Sequence, residues 1–254
     1  MIKTELNDKE LSRYSRQILL PEVDYAGQLT LAQSHAVIFG LGGLGSPAAL
    51  YLAAAGIGTL TLVDFDTVDD SNLQRQIVHR EANIGQSKVA SAQANLQALN
   101  QHIQINTINT TLTPQTMLTL VNTANVVLDC TDNFDSRFLI NQGCFEAKVP
   151  LISGAAIRWE GQLSTYDFRD PKCPCYQCLY PKSSTQDTSC SHNGVLSPVV
   201  GMVGSMQAIE AIKALLNLPT LMGKLMIIDA YTMNIRTLNL KKDSNCPLCQ
   251  PDSK

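Results

Sequence analysis

The sequence predicts an α/β fold whose mainly parallel sheet turns antiparallel towards the C-terminus, and three observations carry that expectation. Apolar strand-like runs alternate with helical patterns from His35 to about Ser153. A glycine-rich loop, GLGGLG, lies between the first strand-like run and the helical pattern that follows. Beyond residue 160 the strand-like runs alternate apolar with polar residues, as antiparallel strands with one exposed face do. With 254 residues, 44% of them hydrophobic and 16% charged, the chain can build one substantial core.

Taken in order, residues 8–19 read as a short amphipathic helix, with Leu11, Tyr14, Ile18 and Leu19 at helical spacing. HAVIFG, from His35, is a buried strand that ends in glycine. SPAALYLAAAG reads as a helix capped by Ser46, begun by Pro47 and stopped by Gly56. TLTLVDFD, from Thr59, is a second strand ending in acids. Residues 86–99 form a helical pattern, and the alternating run Ile103 to Ile108 follows. NVVLDC, from Asn125, is another buried strand, followed by a helix to about residue 147 and the short strand PLIS from Pro150. GQLSTYDF from Gly161, KLMIIDAYT from Lys224 and NIRTLNL from Asn234 are the antiparallel candidates.

The polar, Cys-rich stretch 168–194 is expected to be an irregular crossover or lid. The apolar run Val195 to Leu216 is interrupted by Pro198, Gly201, Gly204, Gln207, Glu210 and Lys213, so it reads as a buried helix rather than a membrane span. No repeat or low-complexity linker divides the chain, and a single domain over 1–254 is expected. It comprises a helical arm (1–34), a nucleotide-binding core (35–160) and a C-terminal part (161–254).

A formal net charge of −3, without any Lys/Arg block, gives no reason to expect nucleic acid or a membrane surface as partner. The N-terminus MIKTELNDKELSRY lacks the apolar segment of a signal peptide, so a cytoplasmic protein is expected.

Gly40, Gly42 and Gly45 have G-x-G-x-x-G spacing between a strand and a helix, the setting in which such a loop accepts a phosphate at a helix N-terminus. Asp64 ends the next strand, where an acid commonly bonds ribose hydroxyls. This is a Rossmann-like arrangement. The loop does not choose between ATP and NAD. SNLQRQ then supplies Asn72 and Arg75, and Lys88 opens the next helix; such cations suit a triphosphate, or are solvated surface charge. Asp129 and Asp132, in DCTDN, close a further strand at the ligand edge, where a carboxylate could hold Mg²⁺ or cap the following helix.

Eight cysteines in a chain without a secretion signal favour metal over disulfides. Cys175-x-x-Cys178 and Cys246-x-x-Cys249 could close a structural four-thiolate Zn²⁺ site that ties the C-terminal tail to the crossover. Cys173 could replace Cys175, although C-x-C spacing fits less well. Cys130 and Cys144 fall in core segments and read as small buried hydrophobes. Cys190 lies in the polar stretch TQDTSCSHNG, near His192.

With these residues in hand, the chain resembles the MoeB/ThiF enzymes, bacterial relatives of the ubiquitin-activating enzymes. The resemblance runs in order through RYSRQILL, GLGGLGSPAALYLAAAGIGTLTLVDFDTV, SNLQRQ, Gly85–Lys88, VLDCTDN, PLISGAAIRWEGQ, CYQC, Cys190–Gly194 and CPLC, nearly the whole chain. It implies ATP- and Mg²⁺-dependent adenylation of the C-terminal Gly carboxylate of a small β-grasp sulfur-carrier protein ending in Gly-Gly, with release of pyrophosphate. It further implies that Gly43 lies against the phosphates, Asp64 meets the ribose, Asn72, Arg75 and Lys88 bind phosphate, and Asp132 holds Mg²⁺. Arg16, in RYSRQ, resembles an arginine given across a homodimer interface to the partner's ATP; on residues alone it is also a surface residue of an amphipathic helix. Cys190 matches a cysteine that serves in sulfur transfer in ThiF-like members, and an idle exposed thiol reads equally well.

SGAAIRWEGQ and LQRQIVH favour the MoeB-like (molybdopterin) branch; RYSRQILL and GSPAALYLAAAG favour the ThiF-like (thiazole) branch, and the balance leans to the former. No sulfurtransferase domain follows Lys254, so a separate sulfur-donor protein is expected. The competing class is an NAD-dependent oxidoreductase, which would need hydride-transfer partners that the four histidines do not obviously supply. A zinc-stabilised binding module without catalysis is disfavoured by the joint presence of Arg16, Arg75, Lys88 and Asp132.

Overall fold

The computed structural model describes residues 3–182 and 194–250. An eight-stranded sheet organises them, in the order β3-β2-β1-β4-β5-β6-β7-β8. The parallel half contains β1 (His35–Phe39), β2 (Thr59–Val63), β3 (Gln104–Ile108), β4 (Val126–Asp129) and β5 (Leu151–Ile157). β6 (Glu160–Tyr166), β7 (Lys224–Asp229) and β8 (Asn234–Asn239) continue it antiparallel. The antiparallel pairing expected beyond residue 160 is therefore present, although β6 is buried over most of its length and β8 is exposed over all of it.

Side chains on β1 alternate between two cores, as a period of two requires. Ala36 and Ile38 join a core beneath α3 (Gly45–Ala55), α4 (Lys88–Leu99) and α8 (Ser197–Leu215). Val37 and Phe39 join another beneath α5 (Pro114–Val121), α6 (Phe134–Ala147) and the one-turn α7 (Tyr176–Leu179). Both faces of β1 are thus covered, and full burial of a side chain such as Phe39 contributes about 1.5–3 kcal/mol. Helices α1 (Asp8–Ile18) and α2 (Asp24–Gln33) form the N-terminal arm. Asn7 caps α1 in a reciprocal bond pattern with Glu10.

The run read as a buried helix rather than a membrane span is α8, which packs along α3; no helix of the described residues is long and apolar enough to cross a membrane. Small residues permit the close approach: a Cβ on Gly204 would stand 2.2 Å from the carbonyl oxygen of Leu44. Gln207, fully buried on α8, donates to the carbonyls of Asp129 (2.8 Å) and Ile152 (3.2 Å), pinning the ends of β4 and β5.

Three local expectations change. Ser46 is buried within the first turn of α3 and does not cap it; Leu44 holds the cap position without a side-chain bond. The packed glycine loop starts the helix earlier and leaves its N-terminus without a side-chain acceptor. Part of the expected irregular crossover is ordered, since turns bonded at Asp170 and Cys173 lead into α7. Cys190 and His192 lie outside the described residues. Helices α2 and α5 had no counterpart in the sequence reading, although Thr113-Pro114 marks the start of α5 with a capping hydroxyl and a first-turn proline.

Candidate functional site

The strand order reverses beside β1: β2 and β3 lie on one side and β4 on the other. Ligands of open α/β sheets bind at such a switch point, beyond the carboxyl ends of the strands. The register pairs Phe39 with both Val63 and Asp129, so the glycine loop, Asp64 and the Cys130–Asp132 segment leave the sheet at one edge. Gly40 adopts φ +88°, and a Cβ on Gly45 would stand 1.9 Å from its carbonyl oxygen, so the tight turn needs both glycines. Gly42 differs. A Cβ there would meet only Gln76 Nε2, at 3.8 Å, and the unfilled space is where a phosphate could approach the first N–H groups of α3.

The half-buried Asp64 accepts the backbone N–H of Leu41 (2.7 Å) and that of Asp66 (2.9 Å), which fixes its carboxylate against the loop. Each oxygen retains a lone pair for a ribose hydroxyl. Asn72 sits in a turn over Asp70–Asn72, and Arg75 follows, its Nη1 donating to the Ser71 carbonyl at 3.2 Å. Gln76, from the same turn, stands beside Gly42. Lys88 is 5% exposed, and its Nζ pairs with Asp66 at 2.8 Å. A phosphate there would compete with Asp66, a partner overlooked in the sequence although it lies two residues past Asp64. The structure thus brings the glycines, Asp64, Asn72, Arg75 and Lys88 to one edge.

Asp129 and Asp132 separate in role. Asp129 is buried and accepts from Thr131 through both N–H and hydroxyl, and from Ser153, with Arg137 Nη1 3.8 Å away. Those bonds shape the loop after β4. Asn133 caps α6 by accepting the N–H of Ser136 (2.9 Å), so Asp132 is not the cap. Its exposed carboxylate lines a cavity of about 440 Å³ together with Phe134, Arg137, Gly154, Tyr176 and Tyr180. The glycine loop does not line this cavity; Asp132 borders it from the end of the segment that leaves β4 beside the loop. Arg137 also donates to the Thr131 carbonyl, and its burial at this junction had no signal in the sequence.

Arg16 is not brought to this site. It is exposed on α1, whose Tyr14 packs on Gly56 and whose Gln17 donates to the Ala55 carbonyl, both at the far end of α3 from the glycine loop.

The sulfurs of Cys175, Cys178, Cys246 and Cys249 lie within 4.8 Å of one another. Cys175–Cys246 is 3.5 Å, Cys178–Cys249 3.4 Å and Cys175–Cys178 3.9 Å. Tetrahedral zinc with Zn–S near 2.3 Å requires S···S edges of about 3.8 Å, so this quartet fits the ion. The Cys175 backbone N–H points at Cys178 Sγ (3.4 Å), as outer-shell donors to thiolates do. The hydrogen bond from the Cys175 thiol draws Cys178 below the usual thiol range. Cys173 is buried with its thiol against the Pro174 carbonyl (3.2 Å), outside the quartet. Burial pushes the Cys130 and Cys144 thiols up, as inert core cysteines require.

The outer edge of the antiparallel half is exposed on both of its faces among the described residues. Every residue of β8 is exposed, Tyr231 and Met233 are each 76% exposed, and Trp159 meets Tyr231 edge-on at 5.6 Å. Glu160, which follows Trp159, lines the cavity that reaches Asp132.

Residues 14–248 match the model of the ThiF family. The chain is 46% identical to the molybdopterin-synthase adenylyltransferase of Escherichia coli K12 over 96% of its own length and 98% of that protein's. It is 43% identical to the adenylyltransferase and sulfurtransferase MOCS3 of Dictyostelium discoideum, covering 96% of this chain and 58% of that one. Among solved structures it is similar in fold to E. coli MccB with MccA-N7isoASN, at a TM-score of 0.81 and 24% identity, covering 98% of this chain and 77% of MccB.

Proposed function

This chain belongs to the ThiF family, and on that premise we propose that it uses ATP to adenylate the C-terminal glycine carboxylate of a small sulfur-carrier protein, on the way to molybdopterin. The observation that carries the reading is the position of Asp132, which borders a separate cavity from the segment that leaves β4 beside the nucleotide edge. The triphosphate takes the edge, with the glycine loop, Asn72, Arg75 and Lys88 on its phosphates and Asp64 on its ribose. The carrier's last residues take the cavity, where the small side chain of Ala155 leaves room for an extended Gly-Gly tail.

A carboxylate is already ionised at neutral pH, so its attack on the α-phosphate needs no strong base. The obstacle is repulsion between anions. Arg75, Lys88 and the loop N–H groups offset it and stabilise the departing pyrophosphate. Asp132 would hold Mg²⁺, which supplies further neutralisation of phosphate charge. A sulfur donor then attacks the acyl-adenylate, forming the thiocarboxylate as AMP leaves. The cysteine quartet would hold structural zinc. An NAD-dependent oxidoreductase is not favoured, because the edge offers two cations, Arg75 and Lys88, and no acid–base pair for hydride transfer among the described residues.

Pyrophosphate exchange into ATP tests the reading. It is expected with Mg²⁺ and a molybdopterin-pathway carrier ending in Gly-Gly. Exchange with a thiazole-pathway carrier alone would reassign the pathway; exchange with neither, from folded zinc-loaded protein, would reject activation. Arg16 is proposed to complete the site of a partner subunit in a homodimer. Mixed R16A and D132A chains should then regain about a quarter of wild-type activity if protomers exchange freely, and no recovery would return Arg16 to the surface.

A further inference from the structure

His79 is a buried titratable group that this chemistry does not use. Its ring is 5% exposed and lies beneath the glycine loop. Nε2 stands 3.2 Å from the carbonyl oxygen of Leu41, within the loop, and Nδ1 stands 2.8 Å from the Ser91 hydroxyl on α4. A carbonyl only accepts, so the ring proton sits on Nε2, and Nδ1 accepts from Ser91. The backbone N–H of His79 donates to Gln76 (3.0 Å), whose own N–H donates to Asn72 (2.9 Å). The imidazole therefore joins the loop of Gly42 and Gly43 to the helix that begins at Lys88, and the backbone of the same residue ties in the turn of Asn72 and Arg75.

We propose that His79 is a positioning residue for the nucleotide, setting the spacing of these three segments so that their donors meet one triphosphate together. The inference rests on the ATP reading above. A second observation at the same place supports it: Gln76 is 4% exposed, its Oε1 has no hydrogen-bond partner among the described residues, and its Nε2 faces the open space beside Gly42. Of the two amide atoms it is Nε2, the donor, that suits a phosphate in that space; Oε1 would take a hydroxyl or a water. Burial, with the charge of Lys88 adding to it, outweighs the Leu41 bond and Asp64 and holds His79 below the usual histidine range. The bracket stays neutral at physiological pH and keeps its Nε2 proton for Leu41.

His79→Leu removes both ring bonds, His79→Gln keeps an N–H for Leu41, and Ser91→Ala removes the bond on the helix side. Calorimetric ATP binding and exchange kinetics, on zinc-loaded protein with Mg²⁺, read the effect. H79L is expected to weaken ATP binding and raise the KM for ATP on the order of ten-fold, the worth of two ordinary hydrogen bonds. The KM for the carrier stays level and kcat changes by less than about three-fold. H79Q restores most of the loss, and S91A gives a smaller shift of the same sign. Should H79L fail to fold, a raised KM for ATP in S91A supports the proposal and an unchanged one overturns it. Unchanged ATP affinity in folded H79L, or a fall in kcat alone, would make the ring core packing and overturn it. Wild-type protein that binds ATP but exchanges with neither carrier sinks the activation reading, while the binding series still decides His79. Wild-type protein that binds no ATP overturns both.

Discussion

The two halves of the sheet are finished in opposite ways. β1 and β4 are buried on both faces, down to 0% exposure for Val37, Ile38, Val127 and Leu128, whereas all six residues of β8 are exposed. The parallel half encloses its site with helices and fixes each loop by backbone bonds, as at Leu41–Asp64. The antiparallel half leaves Tyr231, Met233, Ile235 and Leu238 in water, and the chain beyond β8 returns to a cluster of thiols packed in the same core as Val37 and Phe39. A small polyanion needs preset donors, while a protein partner needs an uncovered apolar surface. The difference teaches that one sheet can serve both, provided that the reacting centre lies where they meet.

The strongest way to break this comparison is at Asp132. Asp132→Ala should lower pyrophosphate exchange by at least about 100-fold, with zinc content and Tm unchanged. Activity within a few-fold of wild type would show that the junction is not the reacting centre. Next comes the staple. The double variant Cys246→Ser, Cys249→Ser should lose its zinc and roughly 3 kcal/mol or more of stability, read in urea melts with metal analysis. If the halves are as distinct as they look, calorimetry below the transition still finds ATP affinity near wild type; lost affinity would merge them. The smallest effect sharpens the boundary. Tyr231→Ala with Met233→Ala should raise the KM for the carrier several-fold and leave that for ATP alone. Equal changes in both would deny the face a separate role.

Much of the parallel half was legible because its signals are local. Strand runs, the glycine spacing and terminal acids each fix a nearby backbone, and β1, β2 and β4 fall where those signals put them. The two C-x-x-C pairs were legible because tetrahedral thiolate chemistry admits few alternatives; the structure adds that Cys173 turns away. What the sequence hid depends on residues far apart in the chain. His79 reaches Leu41, Lys88 reaches Asp66, and Gln207 reaches Asp129, and none of these pairs leaves a short-range pattern. Asp129 and Asp132 looked alike on paper. Only the placement of Ser153, Arg137 and the Asn133 cap tells a loop-shaping carboxylate from one left open.

Zinc held by the cysteine quartet would also make the folded population depend on the supply of that ion. A metal that binds the folded chain and not the unfolded one stabilises it by RT ln(1 + [Zn]/Kd), so each ten-fold fall in free zinc removes about 1.4 kcal/mol while zinc exceeds Kd and progressively less below it. The segment enclosed between Cys178 and Cys246 contains α8, whose Gln207 steadies the loop carrying Asp132. Scarcity of the ion would therefore thin the population of competent molecules without any regulator touching the nucleotide edge, tying the supply of one metal to the making of a cofactor for another.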